Sequence, residues 1–183
     1  MDPDLVERAC RGDRDAFASL VHQVSDRLYA VAFRILRDAG LAEDALQNAL
    51  VTSWRQIPHL RDPERFDAWI YRVLVNACYV EIRRNRRWTV HVRVLPDPEP
   101  AGPDSTHRSA DRDELERAFA RLPIDQRSVF VLHHYVGLSL VEVAETLGIP
   151  AGTALSRLHY ATRALRSAVE ADRELPVEEG RLA

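Results

Sequence analysis

The chain has 183 residues, 46% of them apolar, and carries 25 basic side chains against 28 acidic ones for a formal net charge of −3. At roughly 100–200 residues per domain this length allows one domain or two small ones, and the apolar fraction excludes wholesale disorder. No apolar run approaches the ~18 residues of a membrane span, and the opening MDPDLVERAC lacks a basic head with an apolar stretch behind it, so neither membrane insertion nor a signal peptide is expected and the expected compartment is the cytoplasm.

Helical periodicity dominates and strand signals are weak, apart from a brief alternation over Thr89 to Val94. Asp2 or Asp4 can cap a short helix ending near Gly12. Asp13 opens a long one through Phe17, Leu20, Val21, Val24, Leu28, Val31 and Ile35, stopping before Gly40. A third covers about 41–56 and stops at Pro58, and a fourth runs from Phe66 to about Arg87. The stretch 96–104 then holds four prolines and no large apolar residue, which reads as a linker. Helices of about 111–121, 125–136, 139–147 and 152–170 follow. The expected fold is all-α: two small helical domains joined by an acidic, proline-rich linker.

Charge divides along the same lines. The summed charge argues against nucleic-acid binding, yet residues 71–93 hold six arginines and a single acid, Glu81, while acids gather from residue 95 onward. All 25 basic residues are arginine. Cys10 and Cys78 lie far apart and outside any C-x-x-C pair, so both are expected as small buried hydrophobes, with no metal site and no cofactor.

In the second half, Ser139-Leu140-Val141-Glu142 is a capping box, Gly148 sits where a left-handed residue ends a helix, and Gly152-Thr153 begins the next one. Two short helices across a glycine turn make a helix-turn-helix. At 100° per residue, Ala154, Leu158, Ala161, Leu165 and Ala168 fall within about 80° of one another and form a buried stripe. Ser156 and Arg163 point away from it, flanked by His159, Tyr160, Arg166 and Ser167. That face suits base edges, thymine methyls and phosphates in a major groove.

In the first half, the helix from Phe66 is expected to bury Phe66, Trp69, Ile70, Val73, Ala77 and Val80. On another face Arg72, Asn76, Tyr79, Arg83 and Arg86 recur at steps of 4, 3, 4 and 3, with Arg84 and Arg87 extending the basic end. Arginines interleaved with a ring and an amide combine phosphate contacts with base stacking, as in a single-strand platform. A solvated basic helix end accounts for Arg83 to Arg87 but not for Arg72, Asn76 and Tyr79. The preceding helix buries Ala45, Leu46, Ala49, Leu50 and Ser53, and shows Asp44, Gln47, Asn48, Val51 and Arg55 opposite; a valine among polar residues is a modest protein-interface signal.

On these residues the chain resembles a bacterial sigma factor of the extracytoplasmic-function (ECF) type. Ala42-Glu43-Asp44-Ala45-Leu46-Gln47-Asn48-Ala49 is similar to the family's AEDLVQETF-type element. Phe66-Asp67-Ala68-Trp69-Ile70-Tyr71-Arg72-Val73 with Asn76 is similar to F-x-A-W-L-Y-R-I-A-x-N. Leu122-Pro123 through Arg127, Gly137-Leu138-Ser139, and Gly152-Thr153 with Ser156-Arg157-Leu158-His159 resemble LPxxQR, GLS and GTVKSRLHRAR. The match covers about residues 5–170. The resemblance implies sigma region 2 over 1–90, a linker over 91–110, region 4 over 111–170 and a tail over 171–183. It implies that Asp44, Gln47, Asn48 and Val51 dock on core RNA polymerase. Arg72, Asn76, Tyr79, Arg83, Arg84, Arg86 and Arg87 would hold the opened −10 element, with a flipped base against the loop at about 58–65. Thr153, Leu155, Ser156, Arg157, His159, Tyr160, Arg163 and Arg166 would meet the −35 element. The linker would thread toward the active-site channel, where Asp97, Glu99 and Asp104 suit a path meant for nucleic acid. An anti-sigma factor would be a further partner. Leu155, Tyr160 and Thr162 depart from the Lys or Arg often found there, which implies more apolar or hydrogen-bonding readout.

The competing reading is an autonomous helix-turn-helix regulator, which accounts for 111–170 but leaves the arginine stripe and linker unused. Catalysis is not expected: no phosphate-binding glycine loop, dinucleotide fingerprint or H-E-x-x-H is present, and His133 and His134 have no acid or nucleophile partner at useful spacing.

Overall fold

The computed structural model describes the backbone of residues 1–91 and 110–173 and the side chains of 1–85 and 115–170. Among them are eight α-helices and no strand: α1 (Pro3–Cys10), α2 (Arg14–Leu36), α3 (Ala39–Gln56), α4 (Phe66–His91), α5 (Ala110–Arg121), α6 (Ile124–Phe130), α7 (Leu140–Leu147) and α8 (Ala151–Arg173). Two 3-10 turns, Ile57–His59 and Pro63–Arg65, join α3 to α4, and a π-helical turn, Val131–Tyr135, extends α6. The proline-rich stretch and residues 174–183 lie outside the described residues, as do 92–94 of the alternating run, whose first part is helical as the end of α4; 171–173 of the expected tail continue α8.

Helix starts follow local chemistry. The Asp2 carboxylate accepts from the Asp4 amide, and Asp13 accepts from those of Asp15 and Ala16, so orphan first-turn donors are satisfied. At the end of α2 the left-handed residue is not a glycine. Arg37, at φ 61°, turns the chain, and Asp38 caps α3 through the Leu41 amide. A non-glycine residue takes this conformation only where its surroundings hold it; Arg37 pairs with Glu116 of α5 and lies over Phe33 and Phe119.

The capping box of α7 is complete: the Glu142 amide donates to Ser139 Oγ (3.3 Å) and Glu142 Oε2 accepts from the Ser139 amide (2.8 Å). Gly148 ends the helix at φ 65°. These bonds hold the Glu142 carboxyl below the usual carboxylate range. Their stabilisation is therefore present above that range and fades as pH falls through it. Ser139→Ala is expected to cost about 1 kcal/mol, read as a lowered denaturation midpoint at neutral pH, with less difference from wild type in acid.

One buried layer runs from Val6 in α1 through Leu20, Leu28 and Ile35 of α2, Ala45 and Ala49 of α3, and Ile70, Leu74 and Cys78 of α4. It continues without a break into Val129, Leu132, Val143 and Ala154 of the second helical unit. A smaller cluster, Ala118, Leu122, Ala161 and Leu165, packs α5 against α8. The two units joined by the linker thus pack on each other, which the linker alone did not predict. Arg127, in the LPxxQR-like stretch, is buried and donates to the carbonyls of Ala120 and Leu122, closing the C-terminus of α5. Cys78 is buried, and burial pushes its thiol up to about 12; Cys10 is only half-buried, less than expected.

Candidate nucleic-acid and protein interfaces

On α8 the buried stripe is the expected one: Ala154, Ala161 and Leu165 are buried, Leu158 and Ala168 half-buried. Leu155, Ser156, His159, Tyr160, Arg163 and Arg166 are exposed, and Thr153 is half-buried. Leu155 and Tyr160 expose 57% and 56% of their surface, so the apolar departures from the arginine-rich pattern face solvent. Arg157 differs from the rest: it turns inward and donates to Asp125 of α6 at 2.8 Å. The resemblance set it among the −35 contacts; by helical angle it borders the buried stripe, where an acid on a neighbouring helix takes its guanidinium.

On α4, Arg72, Asn76, Arg83 and Arg84 are exposed. Arg86 and Arg87 lie in the helix, but their side chains are outside the described residues. The buried arc is wider than a single stripe, taking in Phe66, Ile70, Tyr71, Val73, Leu74, Val75, Cys78 and Glu81, because α4 packs against α2 and α3 on one side and α7 on another. Trp69 and Ala77 are half-buried. Val80, expected in the core, is 50% exposed: it continues the Val73 line to a turn that no described helix covers. Tyr79 is half-buried beside Asp125 and Ser128 of α6, and burial pushes its phenol up to about 12.

The start of α4 and the two 3-10 turns form one wall of a cleft of about 840 Å³, with Gln56, His59, Arg61, Arg65, Trp69 and Arg72 along it. Asp62, Glu64 and Asp67 share this wall, so the concavity is mixed in charge, and its indole and polar groups suit an unstacked base. The loop brings His59, Arg61 and Arg65 beside Trp69 and Arg72, a grouping that spacing along α4 could not reveal.

On α3, Asp44, Gln47, Asn48 and Val51 are all exposed, Val51 by 50%. Asn48 is also tied inward: its Nδ2 donates to Glu81 Oε1 at 2.7 Å. Glu81, the single acid of the basic segment, is therefore buried between the α3 face and Arg84, 3.9 Å away. Trp54 is 38% exposed and stacks edge-on against Phe17, 4.9 Å between centroids. It extends the apolar spot at Val51 by one helical turn and was missed, although its i+3 spacing from Val51 was readable. Among the described residues no group of His, Cys, Asp or Glu could hold a metal ion, and no helix is long and apolar enough to cross a membrane.

Comparison with known proteins agrees with this architecture. Residues 20–88 match the family model for sigma-70 region 2, and residues 112–165 that for sigma-70 region 4. The chain is 34% identical over 163 residues to the ECF RNA polymerase sigma factor SigL of Mycobacterium tuberculosis, covering 85% of this chain and 92% of the relative. It is 28% identical over 177 residues to SigW of Bacillus subtilis, covering 88% and 92%. The solved sigma factor RpoE of Bartonella quintana, in complex with the anti-sigma factor NepR, superposes with a TM-score of 0.71 at 25% identity over 86% of this chain and 98% of that one. With α2 to α4 matching region 2 and the helix-turn-helix of α7 and α8 within region 4, the chain belongs to the ECF family of RNA polymerase sigma factors and directs transcription initiation.

Proposed function

We propose that this sigma factor divides its work among three faces. The α3 face, Asp44, Gln47, Asn48 and Val51, docks on core polymerase. The α4 face, Arg72, Asn76, Tyr79, Arg83, Arg84, Arg86 and Arg87, holds the opened −10 strand, with one flipped base in the cleft beside the 3-10 turns. The α8 face, Thr153, Leu155, Ser156, Arg157, His159, Tyr160, Arg163 and Arg166, enters the major groove of the −35 element. Residues 1–90 and 111–170 are the two working units, and 91–110 is the tether that lets them reach separated elements, with 171–183 as a tail. The protein works in the cytoplasm as a non-catalytic initiation factor. An anti-sigma factor is a further proposed partner, supported by the RpoE–NepR pair.

The observation that carries this reading is that one chain exposes two different arginine-bearing faces. One is an exposed arginine and asparagine row beside a cleft holding Trp69; the other is a recognition helix that carries no acid from Ala151 to Val169. A duplex-only regulator needs just the second. Run-off transcription with purified core polymerase, with and without this protein, tests it: initiation appears only when the protein is added. Within that assay, Arg163→Ala is expected to lower initiation roughly tenfold, the worth of one contact of ~1–3 kcal/mol. A template with a scrambled −35 element should remove the difference between variant and wild type. An equal loss on both templates would show that Arg163 does not grip that element.

A further inference from the structure

Glu81 is the single acid of the basic segment, and none of the three proposed faces uses it. It lies seven residues after Leu74 and three after Cys78, on the core side of α4, and is 2% exposed. A carboxylate taken out of water is costly unless well partnered, and an apolar residue of similar volume often serves stability as well. Its two partners differ in strength. Oε1 accepts from Asn48 Nδ2 of α3 at 2.7 Å, the length of a bond to an ionised acceptor. Oε2 is 3.9 Å from Arg84 Nη1, whose side chain is 66% exposed, a pair that contributes little. The bond to Asn48 is therefore the interaction that this buried charge serves.

That bond has a direction. An asparagine amide is two-ended, with donors at Nδ2 and an acceptor at Oδ1, whereas an ionised carboxylate only accepts. Facing Glu81, the amide turns Nδ2 inward, which directs Oδ1 away from the carboxylate. Asn48 is itself exposed, and Asp44 and Val51, four residues before it and three after, share its side of α3. We infer that Glu81 is a positioning residue for polymerase docking: from α4 it sets the Asn48 amide with its acceptor outward, between Asp44 and Val51, before the polymerase arrives. This rests on the reading of the α3 face given above and adds a residue that acts through it. A side chain ordered in advance costs less to immobilise on binding, so the buried acid strengthens a surface that it does not itself reach. An apolar side chain in its place would pack as well but would leave the amide to turn.

The test measures the affinity of the full-length protein for purified core polymerase, by competition with a fluorescein-labelled wild-type chain, beside urea denaturation of each variant. Glu81→Met keeps the volume and removes the charge. It is expected to bind core polymerase roughly fivefold more weakly, with a denaturation midpoint at or above that of wild type. Asn48→Ala should lose about the same, and the two together no more than either alone. A merely structural role would lower the midpoint and add to the loss from Asn48→Ala, and either result overturns the inference. So does wild-type affinity in Glu81→Met. A second pair places no apolar group in the core. Asn48→Asp sets two carboxylates against each other and should weaken docking. Adding Glu81→Gln lets the new amide donate to the new carboxylate, whose other oxygen again faces outward, and should return affinity to within about twofold of wild type. No recovery overturns the inference as well, whether or not Glu81→Met folds. Asp44→Ala with Val51→Ala separates the two ideas. If it weakens docking while Asn48→Ala does not, the α3 reading stands and the positioning role falls; if neither weakens it, both fall.

Discussion

Replacing Arg72 and Asn76 together by alanine is expected to lower open-complex formation on a cognate promoter by roughly 10- to 100-fold, while binding to core polymerase stays at the wild-type level. A hydrogen bond to a charged group is worth ~1.5–3 kcal/mol, and each 1.4 kcal/mol is a factor of ten. One phosphate contact from Arg72 and one base or backbone contact from Asn76 reach that range. Both residues are exposed on α4 and outside the buried layer, so the truncations leave stability within about 0.5 kcal/mol. The α3 face is untouched. Permanganate footprinting of unpaired thymines measures opening, and native gel shift measures holoenzyme assembly. Normal opening by the double variant would take the strand off this face. Tyr79 is the poorer first choice. Its ring sits in the contact with Asp125 and Ser128, so truncating it would disturb the packing of α4 against α6 as well as any strand contact.

The largest stability effect is expected at Leu74. It is fully buried on α4, in the layer that also holds Leu28, Ala45 and Leu132. Leu74→Ala removes three heavy atoms from close-packed surroundings and leaves a cavity, at a cost of about 2–5 kcal/mol. Urea denaturation followed by circular dichroism reads this as a lowered midpoint. Val80→Ala, on the same helix but half exposed, should shift the midpoint by under about 1 kcal/mol. Equal losses at the two sites would mean that the arc of α4 assigned to the core is wrong.

The order and type of the helices were legible because they depend on neighbours in sequence. Asp2 and Asp13 cap first turns through amides two or three residues on, Ser139 and Glu142 satisfy each other within one turn, and Gly148 needs only its own φ. The buried stripe of α8 followed from the 100° rule because that helix meets its neighbours along one side. The same rule misjudged α4, which has partners on two sides, and so placed Val80 inside. The bond from Arg157 to Asp125 on α6 and the bond from Asn48 to Glu81 on α4 join different helices, and no spacing along one helix shows them.

Sequence by itself determined the local and the periodic: all-helical structure, the helix-turn-helix, an arginine row with an asparagine and a tyrosine, and membership of a family that binds polymerase and promoter. Its near-zero net charge looked like evidence against nucleic acid only because opposite charges on separate units were added together. Tertiary structure decided where those charges meet. Glu145 reaches Arg65, and Asp125 lies beside Tyr79, because a shared apolar layer brings α6 and α7 onto α4. Coulomb attraction between residues 80 apart in the chain depends on distance in space, which no spacing in sequence encodes.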